Sequence, residues 1–339
     1  MTTSAKTADS KPVELDLAAA EAMPEEVSQW KVVTRRLIKH RLAVGSMIVW
    51  AVILLVAGLA PYITSYKVTE IELGQQYLTP GARDTDGHRI HLLGTDQLGR
   101  DYWTRIIYAA RISLTVAITA QISITIIGIV IGVLAGYFGG WLDAILMRIV
   151  EFLLTLPPLP ILLILSSLLL QNQEAIPVPR ILQRFLSWLL IIPPRDTTQV
   201  VLLIMILVAL GWMADSRLMR GGVLSVKEQT FTEAARALGA SDLRIMLQHM
   251  VPNALAPMIV SASLGLGGLI IYEAALSFLG FGIQDPTPTW GNMLAAAESS
   301  MFQFPWLPLV SGTPIVVCTL TINFIGDGLR DALDPRLKL

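Results

Sequence analysis

The residues that could do chemistry in this sequence are few and lie far apart. No Gly-x-x-x-x-Gly-Lys-Ser/Thr run is present to hold nucleotide phosphates, and no His-Glu-x-x-His or Gly-x-Ser-x-Gly run indicates a hydrolase. His88 and His91 have no third ligand near them, so we expect solvated loop histidines and not a metal pair. Cys318 is the single cysteine, which excludes a disulfide framework. We therefore predict that the chain is not an enzyme and holds no cofactor and no metal.

The composition is that of a membrane protein. Hydrophobic residues make up 53% of the 339 residues and charged residues 15%, and the mean hydropathy is +0.61. A net charge of -1, with no basic stretch interleaved with aromatic residues, argues against nucleic-acid binding. The sequence therefore predicts a chain that crosses a bilayer several times.

Six charge-free intervals are long enough to cross, since a span needs about 20 apolar residues and a charge at mid-bilayer costs about 2.5 to 3.5 kcal/mol. The predicted spans are residues 42–65, 112–138, 152–172, 198–214, 253–281 and 304–326. Residues 185–194 are apolar but too few to cross, so we expect them at the membrane interface. Residues 30–42 predict an amphipathic helix on the inner leaflet, and residues 1–29 an acidic, disordered tail. The predicted fold is an all-α polytopic membrane protein with one transmembrane domain over residues 30–339.

The orientation follows from basic residues ahead of the first span, which keep that end in the cytoplasm. They are Lys31, Arg35, Arg36, Lys39 and Arg41. With six spans, both termini are predicted to be cytoplasmic in the cell membrane. The first loop, residues 67–110, then lies outside, and residues 215–251 form a cytoplasmic loop.

A polar, helix-forming segment, residues 230–252, lies between two predicted spans; we call it the island. Thr230 and Glu233 stand three apart as a capping box, and Gly239 can close the helix in the left-handed conformation. Ser241 can cap a second helix that ends at Pro252. Its apolar face would comprise Leu243, Met246, Leu247 and Met250. On physical grounds alone, an ordinary surface loop and a docking element for a partner carry equal weight.

Three further features are specific enough to interpret. The first loop contains a Leu-Gly-Thr-Asp-Gln-Leu-Gly-Arg-Asp run, and it predicts a fold held by glycine turns and Asp/Arg pairs among Gly94, Asp96, Gly99, Arg100 and Asp101. Glycines at four-residue steps predict close helix packing, more within the subunit than between copies, at Gly128, Gly132 and Gly136. Glu273, the one acid in an apolar stretch, either lines a substrate path or pairs with a basic group, or faces water at the interface.

The island resembles the cytoplasmic EAA loop of permease subunits in bacterial ATP-binding-cassette importers. Glu233-Ala234-Ala235 is followed by Gly239 four residues beyond Ala235 and by Pro252 thirteen beyond Gly239, whereas His249 and Val251 depart from the pattern. The first-loop run, residues 93–101 with 110–114, is similar to the second permease of dipeptide, oligopeptide and nickel importers. Residues 277–282, 286–292 and 326–336 resemble the same subunit.

This resemblance implies the type I importer permease fold and a set of partners. They are a homologous second permease, two ATP-binding subunits that use the ATP, an extracytoplasmic substrate-binding protein and the lipid bilayer. The short helix would couple to an ATP-binding subunit through Glu233, Ala234, Ala235, Arg236, Leu238 and Gly239. Glu273 would lie in the pathway or between subunits.

Peptides are the leading cargo that the resemblance implies, with nickel chelates or oligosaccharides as alternatives. A channel subunit and an ATP-driven exporter are the competing classes. Residues 171–198 are longer than such a permease needs between its third and fourth spans, and they either touch the binding protein or extend the loop without a role.

Overall fold

The computed structural model describes residues 29–84, 87, 89–172 and 176–334, so the predicted tail lies outside the described residues except for its last one. In these ranges the chain forms helices, joined by connections that are short except for the first loop, plus one antiparallel pair of two-residue strands. The helices are α1 (Gln29–Lys39), α2 (Arg41–Gly58), α3 (Ala60–Ile63), α4 (Tyr102–Phe138), α5 (Gly140–Leu154), α6 (Pro158–Gln171), α7 (Arg180–Leu190), α8 (Pro194–Lys227), α9 (Thr230–Ala237), α10 (Asp242–Phe278), α11 (Trp290–Glu298) and α12 (Trp306–Leu333). The strands are β1 (Ala82–Arg83) and β2 (Ile90–His91).

Five described helices are long and apolar enough to cross a membrane: α2, α4, α8, α10 and α12. The pair α5 and α6 passes the same test together, although it is bent by 91°. The described residues therefore contain five spans, or six with the bent pair. The prediction of an all-α polytopic membrane protein is confirmed.

The bent pair contains the third span predicted at residues 152–172. The helix breaks between Leu154 and Pro158, where consecutive prolines cannot donate backbone hydrogen bonds. At 1.5 Å per residue the 14-residue α6 is about 21 Å long, short of the roughly 30 Å hydrocarbon core. It needs α5 to complete a crossing.

The helix α8 continues well past residue 214, where the sequence predicts the fourth span to end. It runs to Lys227, because Asp215 does not face water there. Its carboxylate accepts hydrogen bonds from Ser261 Oγ at 2.8 Å and from Thr125 Oγ1 at 3.3 Å. The loop predicted at residues 215–251 therefore shrinks to residues 228–241, between α8 and α10.

The helix α10 also differs from the sequence prediction, since Pro252 does not end it. A π-helical turn, Ile245–Met250, directly precedes the proline, and the helix then continues to Phe278. A wider turn accommodates a residue that lacks an N–H and whose ring crowds the preceding turn. The second island helix and the fifth span are thus one helix.

The glycine row of α4 packs against α8 within the subunit, as predicted. A Cβ on Gly132 would lie 2.5 Å from Ser216 O and 2.6 Å from Met219 Cβ, and one on Gly128 would lie 2.6 Å from Asp215 Cβ. The two helices can approach this closely only because the side chains are absent.

We expect Gly132→Ala to destabilise the protein by about 1–3 kcal/mol, since the added methyl overpacks the α4/α8 contact. The control is Gly221→Ala on α8, where a Cβ would meet nothing within 4 Å. Thermal unfolding in detergent measures both variants. Equal midpoints for the two would contradict the proposed packing constraint.

Both ends of the described chain lie at the same end of the bundle as residues 228–241. Arg36 Nη1 donates to Asp334 O at 2.9 Å, and His40 Nε2 lies 3.8 Å from Asp331 Oδ2. We call this the island end, and the opposite end, which carries the first loop, the loop end. Which end faces the cytoplasm stays a prediction.

Candidate functional site

The helix α9 is fixed by a different contact from the predicted capping box. Its N-cap residue is Gln229, with no side-chain capping bond. Thr232 Oγ1 instead donates to Val226 O at 2.9 Å, which ties the first turn of α9 to the end of α8. Glu233, placed in the first turn, still carries a charge that favours the helix N-terminus.

Gly239 closes α9 in the left-handed conformation, as the sequence predicts, with φ of +80°. The backbone N–H of Gly239 donates to Arg236 O at 3.0 Å, and that of Ala240 donates to Ala235 O at 3.1 Å. These bonds satisfy carbonyls at the helix end and turn the chain sharply towards α10. No atom lies within 4 Å of the position that a Cβ would occupy. A side chain at this position would therefore be unfavourable because of the left-handed backbone conformation and not because of a clash with neighbours.

Residues 228–241 are held firmly against the spans. Lys227 Nζ donates to Tyr137 O at 2.6 Å, and the Tyr137 hydroxyl donates to Asp242. Ala235 packs on a buried cluster at the island end, which includes Val133, Met219, Val223, Ile245 and Met250. A displacement of this segment would therefore be transmitted to α4, α8 and α10.

The outward face of the segment is unusually apolar for a region between spans. Glu233, Ala234 and Arg236 are exposed, and Leu238 is 89% exposed. Phe231, Leu243 and Leu247 are also exposed, whereas Ala235 is half-buried. The predicted apolar face of the second helix is thus divided: Met246 and Met250 are buried, and both leucines face out. We call the exposed side chains of Phe231, Leu238, Leu243 and Leu247 the apolar patch. Exposed apolar patches mark surfaces that contact another molecule.

At the loop end, two glycines of the first-loop run make turns that other residues would not fit. Gly94 has φ of +73° and a Cβ there would lie 2.1 Å from Leu78 O; at Gly99, with φ of +74°, it would lie 2.0 Å from Glu72 O. These turns bring the run against earlier parts of the loop. Asp101 then caps α4 by accepting from Thr104 N at 2.8 Å.

Asp96 and Arg100 form the expected ion pair and extend it into a network whose side chains are buried except for that of Asp285, which is 51% exposed. Arg100 Nε donates to Asp96 Oδ2 at 2.7 Å, and its Nη1 donates to Asp285 Oδ2 at 2.7 Å. Arg105 Nη2 donates to Asp285 Oδ1 at 2.7 Å. The loop-end network, defined as these four residues, joins the first loop to the segment between α10 and α11. Sequence reasoning missed Arg105 and Asp285, because their partners lie far away in the chain.

Charge pairing dominates the ionisation of this network. Burial raises the pKa of Asp285, but the guanidinium groups of Arg105 and Arg100 outweigh it and hold the pKa below its usual value. Burial lowers the pKa of Arg100, and Asp96 and Asp285 more than offset this, so its pKa is raised. The stabilising contribution of Asp285 is therefore present above the usual carboxyl pKa of about 3.9 and is lost as the pH falls through its lowered value.

His91 corrects the expectation of a solvated histidine. It is fully buried, its Nδ1 donates to Asp101 Oδ1 at 2.9 Å, and its ring stacks on Tyr66 at 4.4 Å between centroids. His88 lies outside the described residues. No group of three metal-ligating side chains occurs in the part of the chain that the structure describes.

Glu273 is fully buried inside the subunit, so it does not face water at the interface. Its Oε1 accepts from Ser277 Oγ at 2.8 Å, and its Oε2 has no hydrogen-bond partner among the described residues. No described basic residue lies within ion-pair distance of it. Asp215, which sequence reasoning placed at a span boundary, is also buried, and only its three-dimensional partners reveal it.

These features define a class: a multispan membrane protein with an exposed apolar patch at one end and a folded loop at the other. Residues 128–339 match the family described as binding-protein-dependent transport system inner membrane component, and residues 28–80 match the N-terminal transmembrane domain of oligopeptide transport permease C. The chain belongs to this permease family.

Curated relatives agree over nearly the whole chain. The dipeptide transport system permease protein of Alkalihalophilus pseudofirmus is 36% identical over 312 residues, 92% of this chain and 91% of that one. The oligopeptide transport system permease protein of Salmonella typhimurium is 38% identical over 312 residues, 91% of this chain and 92% of that one. A solved amino acid ABC transporter chain shares 16% identity and a TM-score of 0.44 over 67% of this chain, too distant to carry an argument.

Proposed function

We propose that this chain is one permease subunit of an ATP-driven importer for peptides, coupled to separate ATP-binding subunits through the EAA-like island. The observation that carries the proposal is the apolar patch at the island end, beside which Ala235 packs on a cluster formed by α4, α8 and α10. The names of relatives at 36–38% identity support peptides as cargo over nickel chelates or oligosaccharides.

In this proposal α9 sits in a groove of an ATP-binding subunit. The small side chain of Ala234 allows close approach, Leu238 supplies apolar contact, and Arg236, exposed beside Tyr137, meets an acid of the partner. Closure of the ATP-binding subunits on ATP pushes the island, and the contacts of Lys227 and Tyr137 pass the displacement to the spans. The ATP site belongs to those partners, and this chain uses no cofactor of its own.

The remaining partners complete the assembly. A homologous second permease supplies the other half of the pathway, and a substrate-binding protein delivers peptide at the loop end, beside a cavity of 220 Å³ lined by the loop-end network. The island end, with the basic residues of α1, is cytoplasmic, and both termini lie there. Because Glu273 is enclosed within the subunit, a role in the pathway or in an inter-subunit contact would require a rearrangement that exposes it.

The test is reconstitution with the cognate second permease, ATP-binding subunits and binding protein in liposomes, followed by ATP-dependent uptake of labelled peptides. We expect Leu238→Arg to lose about 2 kcal/mol or more of docking energy, about thirty-fold in affinity, because a charge replaces an apolar anchor. Leu238→Met is the matched control and should retain docking and uptake.

Three results would count against the proposal. Full uptake by Leu238→Arg would remove the patch from coupling. Solute flux without ATP would favour a channel subunit, and ATP-driven efflux an exporter. Competition by nickel chelates or oligosaccharides, but not by peptides, would change the cargo while leaving the coupling intact.

A further inference from the structure

The helix α7 carries more apolar surface than the subunit covers. Viewed down its axis at 100° per residue, its apolar side chains occupy about 200° of the circumference. One part of this arc is buried against the bundle, through Leu186 and Leu190, and Arg111 Nε donates to Leu189 O at 2.7 Å to fix the helix in place.

The other part of the arc faces away from the protein. Ile181 is 85% exposed, Phe185 54% and Trp188 75%, and the three follow one another at helical spacing along a single stripe. The rings of Phe185 and Trp188 lie 6.4 Å apart. The rest of the subunit therefore leaves most of the surface of Ile181 and Trp188 uncovered.

The polar arc is basic and carries no acid. It consists of Arg180, Gln183, Arg184 and Ser187, and Arg184 stands at the seam beside Trp188. Neither arginine forms an ion pair with any residue that the structure describes. Two unpaired guanidinium groups beside an apolar stripe with a tryptophan match a membrane interface, where phosphate groups meet acyl chains.

The connections of α7 place it at the membrane surface. It lies between α6 and α8, and only residues 191–193 separate its last residue from the first residue of α8. A helix this close to the end of a span cannot leave the bilayer surface. Its 11 residues are about 17 Å long, too short to cross, which favours a position along the interface.

We propose that α7 is an interfacial helix that binds anionic phospholipid at the loop end of the bundle. The stripe of Ile181, Phe185 and Trp188 enters the acyl region, and Arg180 and Arg184 bind headgroup phosphates. The role of the extra segment between the third and fourth spans is then to fix the loop end of α8 in the lipid.

Spin labels on the assembled transporter in nanodiscs test the position of the stripe. Single cysteines replace Ile181, Trp188 and, as controls on the polar arc, Gln183 and Ser187, in a Cys318→Ala background. We expect labels at 181 and 188 to collide more with oxygen than with a water-soluble nickel chelate, and labels at 183 and 187 to show the reverse.

Three other results would show that something other than lipid contacts the stripe, and each would overturn the proposal. Labels at 181 and 188 that meet the nickel chelate freely show a solvated loop. Shielding from both reagents without the binding protein shows that the second permease covers the stripe. Shielding that appears only when the binding protein is added shows a protein-docking surface.

A second measurement tests the headgroup chemistry. A fluorophore at position 188 is quenched by spin-labelled phosphatidylglycerol or phosphatidylcholine at equal mole fraction. About 1 kcal/mol per basic residue corresponds to about five-fold enrichment of the anionic lipid per arginine. Arg180→Gln with Arg184→Gln should abolish the preference, and Arg148→Gln, an exposed arginine on α5, should not. Equal quenching by both lipids in the unmodified chain overturns the anionic-lipid site.

Discussion

Replacing Gly239 with valine should uncouple ATP hydrolysis from uptake. The residue has φ of +80°, a region that costs an L-residue roughly 1–2 kcal/mol and a β-branched one the most. Valine would therefore pull the chain out of this turn and tilt α9 relative to Tyr137 and Lys227. Since 1.4 kcal/mol is a factor of ten in an equilibrium, we expect peptide uptake and substrate-stimulated ATPase activity to fall about ten-fold.

The matched control is Gly239→Asn, because asparagine tolerates the left-handed region. No atom lies within 4 Å of the position that a Cβ would occupy, so neither variant meets a steric clash. The two variants therefore differ in how well each residue tolerates the left-handed backbone conformation. If valine supported full coupled uptake, or if asparagine were as defective as valine, the turn at Gly239 would not be what positions the docking helix.

Removing the charge of Asp96 should destabilise the loop end severely. Its carboxylate accepts from Leu98 N at 2.8 Å, from Arg100 N at 3.0 Å and from Arg100 Nε at 2.7 Å, and its side chain is 8% exposed. Asp96→Asn places an amide N–H against a guanidinium donor and leaves Arg100 and Arg105 to share Asp285. Breaking a buried pair costs about 3–5 kcal/mol, and we expect a loss of this order.

Thermal unfolding in detergent, together with proteolysis of the first loop, measures the effect of Asp96→Asn. The control is Glu70→Gln in the same loop, whose ion pair with Arg89 is 4.0 Å long and partly exposed. Exposed pairs contribute about 0–1 kcal/mol, so this variant should unfold almost as the unmodified chain does. Similar midpoints for the two variants would mean that the loop-end network does not hold the loop to α4 and the segment after α10.

A structural feature could be predicted from the sequence when residue types a few positions apart determine it. The left-handed turn at Gly239, the close packing at Gly132 and the pairing of Asp96 with Arg100 follow from residue types a few positions apart. That the helix continues beyond Asp215 could not be predicted, because Ser261 and Thr125, which bind its carboxylate, come from other helices. His91 was expected in water for the same reason: Asp101 and Tyr66 surround it only once the loop folds.

The island illustrates the same division. Helix, glycine turn and second helix were predictable, since capping and turn preferences act within a few residues. The capping box did not form, because the helix begins one residue earlier than the box requires: Gln229 is the N-cap and Thr230 is already helical. The π-helical turn before Pro252 rotated the second helix, so that Leu243 faced out and Ile245 was buried. Periodicity at 3.6 residues could not anticipate that rotation.

The bend between α5 and α6 has a consequence for how the subunit changes shape. Arg220 binds Asp143 through two hydrogen bonds, each 2.5 Å long, so α5 is fastened to the island half of α8. Any tilt that the island gives to α8 must carry α5 with it. The backbone can absorb this at the two ends of α5, at Gly139 and at residues 155–157, where the helical hydrogen bonding is already interrupted. The angle between α5 and α6 would then change during the transport cycle. Distance measurements between labels on the two helices would detect this change.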